Sequence, residues 1–456
     1  MKIIHQISKR QWALSIFAGT LTLMTPAFQN NFPFLFSDTG SYVLAGFKGV
    51  VSDFRPMAYG IFMRHVSLME SLWLVAFVQA WLTSWIIHQF TRVFFPQLPV
   101  YMPLATVFVL TLGTCAGITT TMLMPDFLTP LLILASAILL WGKTSRHVAA
   151  GAGLILWFGI AAHHSHRWIL FLPLLMLLAG RLFRLKGIPA RKLALVAAIG
   201  LTGALTIPAL SFLYGGGFVF SRAQHIFLIS HLHRTELLIP HLNKFCLVNT
   251  SPLCACRERE SDDLLWDPAS PANINGGWAA NDSLFAVVWD DFLKSPENIK
   301  NLAIKMTEDA VAQFFTFEGK TVFRELENGH PYGVLREVFP KGLFAIRHSL
   351  QYHDAGMEST LDENQHWLVM LSFCALALLF LFNADNIPLQ YKWLVVFVLT
   401  ALFANALICS GVSMIDPRFQ KRVVWLVPLL AVLLVADRVR TTQFLTALFR
   451  PKALET

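Results

Sequence analysis

Long apolar runs alternate with short polar segments along most of the chain. An apolar run of about 17–22 residues matches the roughly 30 Å hydrocarbon core of a bilayer, and several runs here fall within or just below that length. Ten runs predict membrane-spanning helices, at 11–28, 71–90, 101–121, 126–142, 148–162, 168–180, 193–213, 366–382, 393–410 and 423–436. The short runs at 148–162 and 168–180 could instead form one broken hairpin.

The composition agrees with this pattern. Hydrophobic residues make up 55% of the 456 residues and charged residues only 14%, with a mean hydropathy of +0.55. A soluble protein of this length is more polar. We therefore predict an α-helical polytopic membrane protein with about ten transmembrane helices. The first run follows Lys2, Lys9 and Arg10, and the poor cleavage site at 25–28 favours an uncleaved anchor over a cleaved signal peptide.

The distribution of Lys and Arg predicts the orientation. Cytoplasmic loops carry an excess of Lys and Arg. One set of loops, with both ends of the chain, carries 16 such residues, and the opposite short loops carry seven. The 16 are Lys2, Lys9, Arg10, Arg92, Lys143, Arg146, Arg181, Arg184, Lys186, Arg191, Lys192, Lys392, Arg438, Arg440, Arg450 and Lys452. Both termini are therefore expected in the cytoplasm. The net charge of +8 reflects this bias and is no sign of nucleic-acid binding.

One long segment, 214–365, holds 20 of the 28 acidic residues and is expected outside the membrane. It divides the chain into an N-terminal transmembrane module (1–213), a periplasmic soluble domain (214–365) inserted between spans seven and eight, and a C-terminal module with a cytoplasmic tail (366–456). Ser295 followed by Pro296 predicts the start of a helix over 297–315.

Three of the six cysteines lie in this outer segment. Disulfides form in oxidising compartments outside the cytoplasm, so Cys246 is expected to pair with Cys254 or Cys256. A zinc site is the alternative, although C-x-C with one further cysteine is a weak signal. Cys115, Cys374 and Cys409 lie in apolar spans and are interpreted as packing residues.

Two acids stand on the first two outer loops. Asp38 follows the first span, at the membrane boundary, where it could act as a general base or simply cap a helix. Asp126, after Pro125, is the one charged residue between positions 93 and 142, and capping competes there too. Arg55 precedes an amphipathic stretch at 57–70 that predicts an interfacial helix, and it could serve a site or reach lipid headgroups.

The third outer loop reads His163-His164-Ser165-His166-Arg167. An anion site is the favoured interpretation, because His and Arg donate to phosphate oxygens. The alternatives are a metal site and unrelated interfacial residues. The last outer loop carries Asp416, Arg418 and Arg422. Asp416 could orient Arg418, while Arg418 or Arg422 meets a phosphate. Together these loops predict a base and a phosphate clamp around one outer mouth.

This arrangement resembles the GT-C superfamily of polytopic membrane glycosyltransferases. The matching positions are Asp38 in the first outer loop, Asp126 in the second outer loop (the second hairpin, residues 122–127), the Arg55-Pro56 element and the late 416–419 motif, where Phe419 replaces the more usual Tyr. The resemblance covers the transmembrane core, about 300 residues.

The resemblance implies a polyprenyl-phosphate sugar as donor and a cell-envelope lipid, glycan or protein as acceptor, in a bacterial inner membrane. Asp38 would be the catalytic base of an inverting transfer. Asp126 would orient the acceptor or bind a divalent cation, the one candidate cofactor. Arg55, His163, His164, Arg167, Arg418 and Arg422 would bind the donor phosphate. A transporter or flippase, or an accessory subunit for lipid-linked envelope glycans, is the alternative function.

The orientation can be tested with reporter fusions. An alkaline phosphatase fused near residue 300 should be active in the periplasm, and one fused near residue 187 should be inactive in the cytoplasm, because the intervening span reverses the side. A fluorescent protein at the same positions is the control and should give the opposite pattern. Activity at 187 and none at 300 would show the reverse topology and would place Asp38 and Asp126 on the cytoplasmic side.

Overall fold

The described chain is entirely helical. A computed structural model describes residues 8–258, 263–274, 276–319, 330–353 and 358–441. Within these ranges there is no β-strand. Three of the charges used for the orientation, Lys2, Arg450 and Lys452, lie outside the described residues.

Twenty α-helices occur in the described ranges. They are α1 Lys9–Gln29, α2 Thr39–Val43, α3 Met57–Val66, α4 Leu72–Phe94, α5 Met102–Gly113, α6 Ala116–Thr121, α7 Leu128–Trp141, α8 Arg146–Ala162, α9 His164–Leu182, α10 Ala190–Leu213, α11 Gln224–Arg234, α12 Leu238–Phe245, α13 Gly277–Phe292, α14 Pro296–Phe315, α15 His330–Val338, α16 Leu343–Arg347, α17 Glu358–Asn383, α18 Leu389–Val412, α19 Pro417–Val424 and α20 Leu426–Thr441. A π-helical turn spans Leu44–Lys48, and 3₁₀ turns span Pro125–Phe127, Pro252–Glu258, Pro340–Gly342 and Ala384–Asn386.

Four helices among the described residues are long and apolar enough to cross a membrane. They span His164–Leu182, Ala190–Leu213, Leu361–Asn386 and Leu389–Val412. Three shorter apolar helices, at Met102–Gly113, Pro125–Trp141 and Arg146–Ala162, lie where the sequence predicts spans. The described fold is thus compatible with that of a helical membrane protein.

The predicted span at 101–121 is broken into α5 and α6. The chain leaves the helix at Thr114, and the N–H of Cys115, which has no partner within the helix, donates to Gln365 Oε1 of α17 at 3.0 Å. Gln365 also donates to the carbonyl of Phe317 at 2.9 Å. A buried helix break needs partners for its freed backbone groups, and Gln365 supplies one from a distant helix.

The predicted outer loop around Arg418 is a helix. Asp416 accepts a hydrogen bond from the backbone N–H of Arg418 at 2.8 Å, and Pro417 occupies the first helical position of α19. These are standard helix-start residues. Since residues four apart share a helix face, Arg418 and Arg422 project from the same side of α19.

The stretch 214–365 packs in two ways. Its first part has a buried core of its own, formed by apolar side chains between Ala223 and Leu302. The helix expected at 297–315 is present as α14, capped by Ser295, and it packs along α18. The part after position 330 instead joins the main core, through residues such as Leu335 and Ile346.

A disulfide joins Cys246 to Cys254 just beyond α12. This is one of the two pairings that the sequence leaves open. Cys256 is buried in the same small core, at 4% exposure.

The later part of this stretch is tied to the first loop. Gln351 donates from its side chain to the carbonyl of Leu35 at 2.7 Å and accepts from the Leu35 N–H at 3.0 Å. The backbone N–H of Leu350 donates to the carbonyl of Asn30 at 3.1 Å. These bonds fix the segment that leads into Asp38.

Two glycines let the first loop pack against α3. A Cβ added at Gly46 would overlap the carbonyl oxygen of Gly60, and a Cβ at Gly60 would overlap the carbonyl oxygen of Tyr42. The expected helix at 57–70 is the shorter Met57–Val66. Its side chains at Met57, Ala58, Tyr59 and Met63 are buried in the protein.

Substituting Gly46 should therefore lower stability. We expect Gly46→Ala to reduce the free energy of unfolding by about 2 kcal/mol, because overpacking a tight contact costs about 1–3 kcal/mol. The measurement is thermal unfolding of the purified protein, followed by tryptophan fluorescence. Gly153→Ala is the matched control: its Cβ would lie 3.6 Å from Ile199 Cδ1, an ordinary contact. Equal melting temperatures for the two variants would contradict the packing argument.

Candidate functional site

The first loop and the second hairpin are hydrogen-bonded to each other beside Asp38. The Thr39 hydroxyl accepts from the N–H of Phe36 at 2.9 Å and donates to the carbonyl of Leu123 at 3.2 Å. Asp38 directly precedes α2, but its side chain makes no capping hydrogen bond to that helix. The capping interpretation of Asp38 does not hold in the structure.

Asp38 instead forms ion pairs with two arginines. Its Oδ2 lies 2.6 Å from Arg55 Nη2 and 3.3 Å from Arg418 Nη1. The Asp38 side chain is 11% exposed and the Arg418 side chain 8% exposed. The carboxylate is therefore held between two guanidinium groups at the edge of the buried region.

Asp126 lies deeper, in the turn Pro125–Phe127. Its Oδ1 accepts a hydrogen bond from Arg422 Nη1, and its side chain is 2% exposed. Its Oδ2 has no hydrogen-bond partner among the described residues and lies 3.9 Å from Arg418 Nε, which also lacks one there. Arg418 is thus placed between the two acids.

Helix α18 holds Arg422. Asn405 Oδ1 accepts from Arg422 Nη2 at 2.8 Å and from Nε at 3.1 Å, and Cys409 Sγ lies 3.1 Å from Nη2. Cys409 was expected to be a packing residue, and Asn405 was not predicted from the sequence. A lone amide in an apolar span is a known sign of a functional position, so a signal for Asn405 was present.

Arg418 also stacks on an aromatic ring. Its guanidinium carbon lies 4.0 Å from the centroid of the Phe36 ring, and 5.0 Å from that of Phe419. Burial lowers the pKa of Arg418, but the charges of Asp126 and Asp38 outweigh it and raise the pKa above its usual value. Arg418 therefore stays cationic.

Asp416 acts on the backbone of α19, because its side chain accepts from the N–H of Arg418. It caps α19 and is itself anchored by Gln313 of α14, which donates to the Asp416 carbonyl at 3.0 Å and accepts from its N–H at 2.8 Å. Asp416 thus orients the helix that carries Arg418.

Two histidines of the third loop lie side by side, with the ring centroids of His163 and His166 5.0 Å apart. Both ring nitrogens of His166 are engaged, with the carbonyl of Gly159 at 2.6 Å and the hydroxyl of Thr129 at 2.8 Å. His163 caps α9 by accepting from the N–H of Ser165 at 3.2 Å. Burial, and then the neighbouring His166 and Arg422, lower the pKa of His163, so its ring is neutral.

Arg167 is not part of the ion pairs that join Asp38, Arg55, Asp126, Arg418 and Arg422, which we call the ion-pair network. Its guanidinium packs on Phe220, with the carbon 4.5 Å from the ring centroid. Within the described chain, Arg167 Nη1 and His164 Nδ1 are buried without hydrogen-bond partners. The metal interpretation of this loop has no support in the described residues, which contain no group of three metal-ligating side chains.

Tyr42 is a further polar residue near this group that was not predicted from the sequence. It is fully buried in α2, and its hydroxyl finds no hydrogen-bond partner in the described ranges. The Arg55 guanidinium carbon lies 6.0 Å from its ring centroid. Burial raises the pKa of Tyr42 well above its usual value, so the hydroxyl keeps its proton. It can donate one hydrogen bond to a ligand.

The structure thus brings together five of the predicted residues: Asp38, Arg55, Asp126, Arg418 and Arg422. Within this set three arginines face two aspartates, and the carboxylate of Asp416 lies next to Arg418 at the start of α19. Clustered guanidinium donors in a buried position are suited to an anion, with the Asp38 carboxylate at the more exposed edge.

Comparison of the chain with protein-family models, with curated proteins and with solved structures found no match.

The buried pair of Asp126 and Arg422 gives a stability prediction. Asp126→Asn should lower the free energy of unfolding by about 3 kcal/mol or more, because it leaves Arg422 buried beside no full charge. Adding Arg422→Gln should recover part of the loss, since both charges are then gone. Thermal unfolding of the single and double variants measures this. Glu308→Gln, in an exposed pair with Lys305, is the control and should not change the melting temperature. A double variant less stable than Asp126→Asn would argue against a dominant pair.

Proposed function

We propose that this protein is a membrane glycosyltransferase that moves a sugar from a polyprenyl-phosphate donor to a cell-envelope acceptor. The observation that supports this most is the convergence of Asp38, Asp126 and Arg418 from three segments far apart in sequence. A phosphate needs cationic partners, and an acceptor hydroxyl needs a base beside it. The resemblance to the GT-C superfamily gives the donor class.

The proposal includes the topology. About ten spans, both termini in the cytoplasm and the stretch 214–365 in the periplasm would put the network at the outer face of a bacterial inner membrane. The excess of Lys and Arg in the opposite loops supports this orientation. Membrane lipids and an envelope acceptor would be its partners.

In the proposed reaction, the acceptor oxygen attacks the anomeric carbon as the carbon–oxygen bond to the phosphate breaks. The acceptor proton passes to Asp38, and the bonding electrons leave with the polyprenyl phosphate. Asp38 is preferred to Asp126 as base because its side chain keeps 11% exposure, against 2% for Asp126. Arg418 and Arg422 would neutralise the phosphate, whose charge grows in the transition state.

The ion pairs suggest how donor binding and acceptor positioning are linked. Arg418 Nη1 approaches Asp38 Oδ2 at 3.3 Å, longer than the 2.6 Å pair with Arg55. A donor phosphate would compete with Asp38 for Arg418 and draw the guanidinium away. Asp38 would then lose one of its two cationic partners, which leaves its Oδ2 free to accept a hydrogen bond from the acceptor hydroxyl. Donor binding and acceptor positioning would in this way be linked.

The alternative, a transporter or accessory subunit, has one observation in its favour. Lys421 is fully buried in α19 and pairs with Asp362 of α17. Paired ionisable residues inside a helix bundle also occur along transport pathways. A purified protein that transfers sugar by itself excludes this alternative.

Replacing Arg418 by Lys tests the proposed phosphate clamp. Lysine keeps the charge but not the bidentate geometry of guanidinium, so we expect transfer from a polyprenyl-phosphate sugar to fall about 10²-fold. Donor binding should weaken less than turnover, because the phosphate charge develops in the transition state. The assay is sugar transfer by the purified protein in lipid nanodiscs.

Two further variants complete this assay. Arg336→Lys changes an exposed arginine of α15 and should keep the wild-type rate. Asp38→Asn should lower the rate by about 10²–10⁴-fold, the usual contribution of a general base, with little change in melting temperature. Wild-type rates in both Arg418→Lys and Asp38→Asn would reject the proposed site.

A further inference from the structure

A polar cavity lies in the stretch 214–365, and none of its lining residues belongs to the ion-pair network. It has a volume of about 510 Å³ and lies between α12 and the corner where α13 meets α14. All of its lining residues fall between Leu237 and Asn301. Small-molecule sites have volumes of roughly 300–1,000 Å³, so the cavity is of a suitable size for a ligand.

His241 and Asp291 both line this cavity without reaching each other. His241 is 9% exposed, and the distance from its Nε2 to Asp291 Oδ2 is 3.6 Å, too long for a hydrogen bond. Across the described chain Nε2 has no hydrogen-bond partner of standard geometry, although the ring also interacts with the backbone of Val288, which opposes the lowering of its pKa. Asn298 Nδ2 lies 3.4 Å from the other ring nitrogen, Nδ1. If Asn298 donates to Nδ1, Nε2 carries the hydrogen and is a buried donor beside an acceptor.

The charges around the cavity cancel. Lys244 and Lys294 contribute two positive charges, and Asp291 and Glu297 contribute two negative charges. Burial lowers the pKa of His241, with Asp291 opposing, so the ring adds no charge near neutral pH. A lining with no net charge favours a neutral ligand over a phosphate or a metal cation.

The remaining surface is divided between amides and apolar side chains. Asn298 and Asn301 can both donate and accept hydrogen bonds. Pro240 and Phe245 supply apolar surface on the α12 side. The disulfide between Cys246 and Cys254 directly follows α12 and restrains the turn that forms the rim of the cavity.

We propose that this cavity binds a neutral sugar unit. A sugar ring combines apolar C–H faces with a rim of hydroxyl groups, which suits this mixture of amide, carboxylate and apolar surface. One sugar hydroxyl would accept from His241 Nε2 and donate to Asp291 Oδ2, satisfying the buried donor. Unpaired buried polar groups are unfavourable, so a ligand that pairs both is stabilised.

This site goes beyond the proposed transfer reaction, because it contains none of the residues of the ion-pair network. Sugar binding here can be measured with no donor lipid and no turnover. The two proposals can therefore fail independently.

The experiment is saturation-transfer difference NMR with the full-length protein in lipid nanodiscs, which avoids sugar-based detergents. The probes are two neutral disaccharides, cellobiose and N,N′-diacetylchitobiose. We expect saturation transfer to at least one of them. His241→Gln and Asp291→Asn should weaken its binding at least about fivefold, since each removes a hydrogen bond to the ligand. Asp290→Asn, at the exposed neighbouring position, is the matched control and should bind as the wild type does.

A further variant distinguishes loss of binding from misfolding of His241→Gln or Asp291→Asn. Asn301→Trp fills the cavity from its partly exposed edge and should abolish binding while keeping the wild-type melting temperature. Inorganic phosphate and calcium chloride are the competitors, and neither should displace the disaccharide. Three results would each overturn the proposal: no transfer to either disaccharide, undiminished binding in Asn301→Trp, or displacement by phosphate or calcium.

Discussion

The guanidinium of Arg418 lies between two carboxylates that reach it from different parts of the chain. Asp38 comes from the first loop and Asp126 from the second hairpin, and both lie within 4 Å of Arg418. An ion removed from water requires a partner, and removing one member of a buried pair leaves an uncompensated charge. The positions of the first loop, the hairpin and α19 are therefore mutually dependent.

Helix α19 carries three buried cations, and each has an acidic partner. Arg418 and Arg422 face Asp38 and Asp126, while Lys421 pairs with Asp362 of α17. Each buried cation has an acid from a different element, so the helix is fixed on two sides. Its start is fixed by the reciprocal bonds between Gln313 and Asp416. The backbone of α19 is thus fixed before any ligand arrives, which reduces the entropy lost on binding, and only the Arg418 guanidinium has to move when the proposed phosphate binds.

Much of this site could be predicted from the sequence, because charged residues are rare in it and lie in short segments between apolar runs. Such residues were expected to lie together on one face, and Asp38, Asp126, Arg418 and Arg422 do lie together. The helix at α19 could also have been predicted, since Asp416-Pro417 is a helix start. Other features depend on the folded chain. The role of Gln365 follows from a helix break in a distant segment, and nothing local distinguishes it from other glutamines.

The histidines of the third loop could be recognised as a group from the sequence, but their individual hydrogen bonds could not. Three histidines in five residues suggest shared chemistry, yet His166 is engaged on both nitrogens and His163 caps a helix. The rings of His163 and His166 do lie close together, with centroids 5.0 Å apart, but each makes its own hydrogen bonds within the protein. Contact of this loop with an anion stays a prediction.

The pairing of Asp126 with Arg422 also has a consequence for biosynthesis. The two residues are 296 positions apart, and a ribosome adding about 5–20 residues per second needs about 15–60 s to cover that distance. During this interval Asp126 has no arginine of α19 with which to pair. An unpaired buried carboxylate is unfavourable, so Asp126 cannot take its final buried position until α19 has been synthesised. The final site would then close late, when α19 leaves the ribosome and joins the helices already in place.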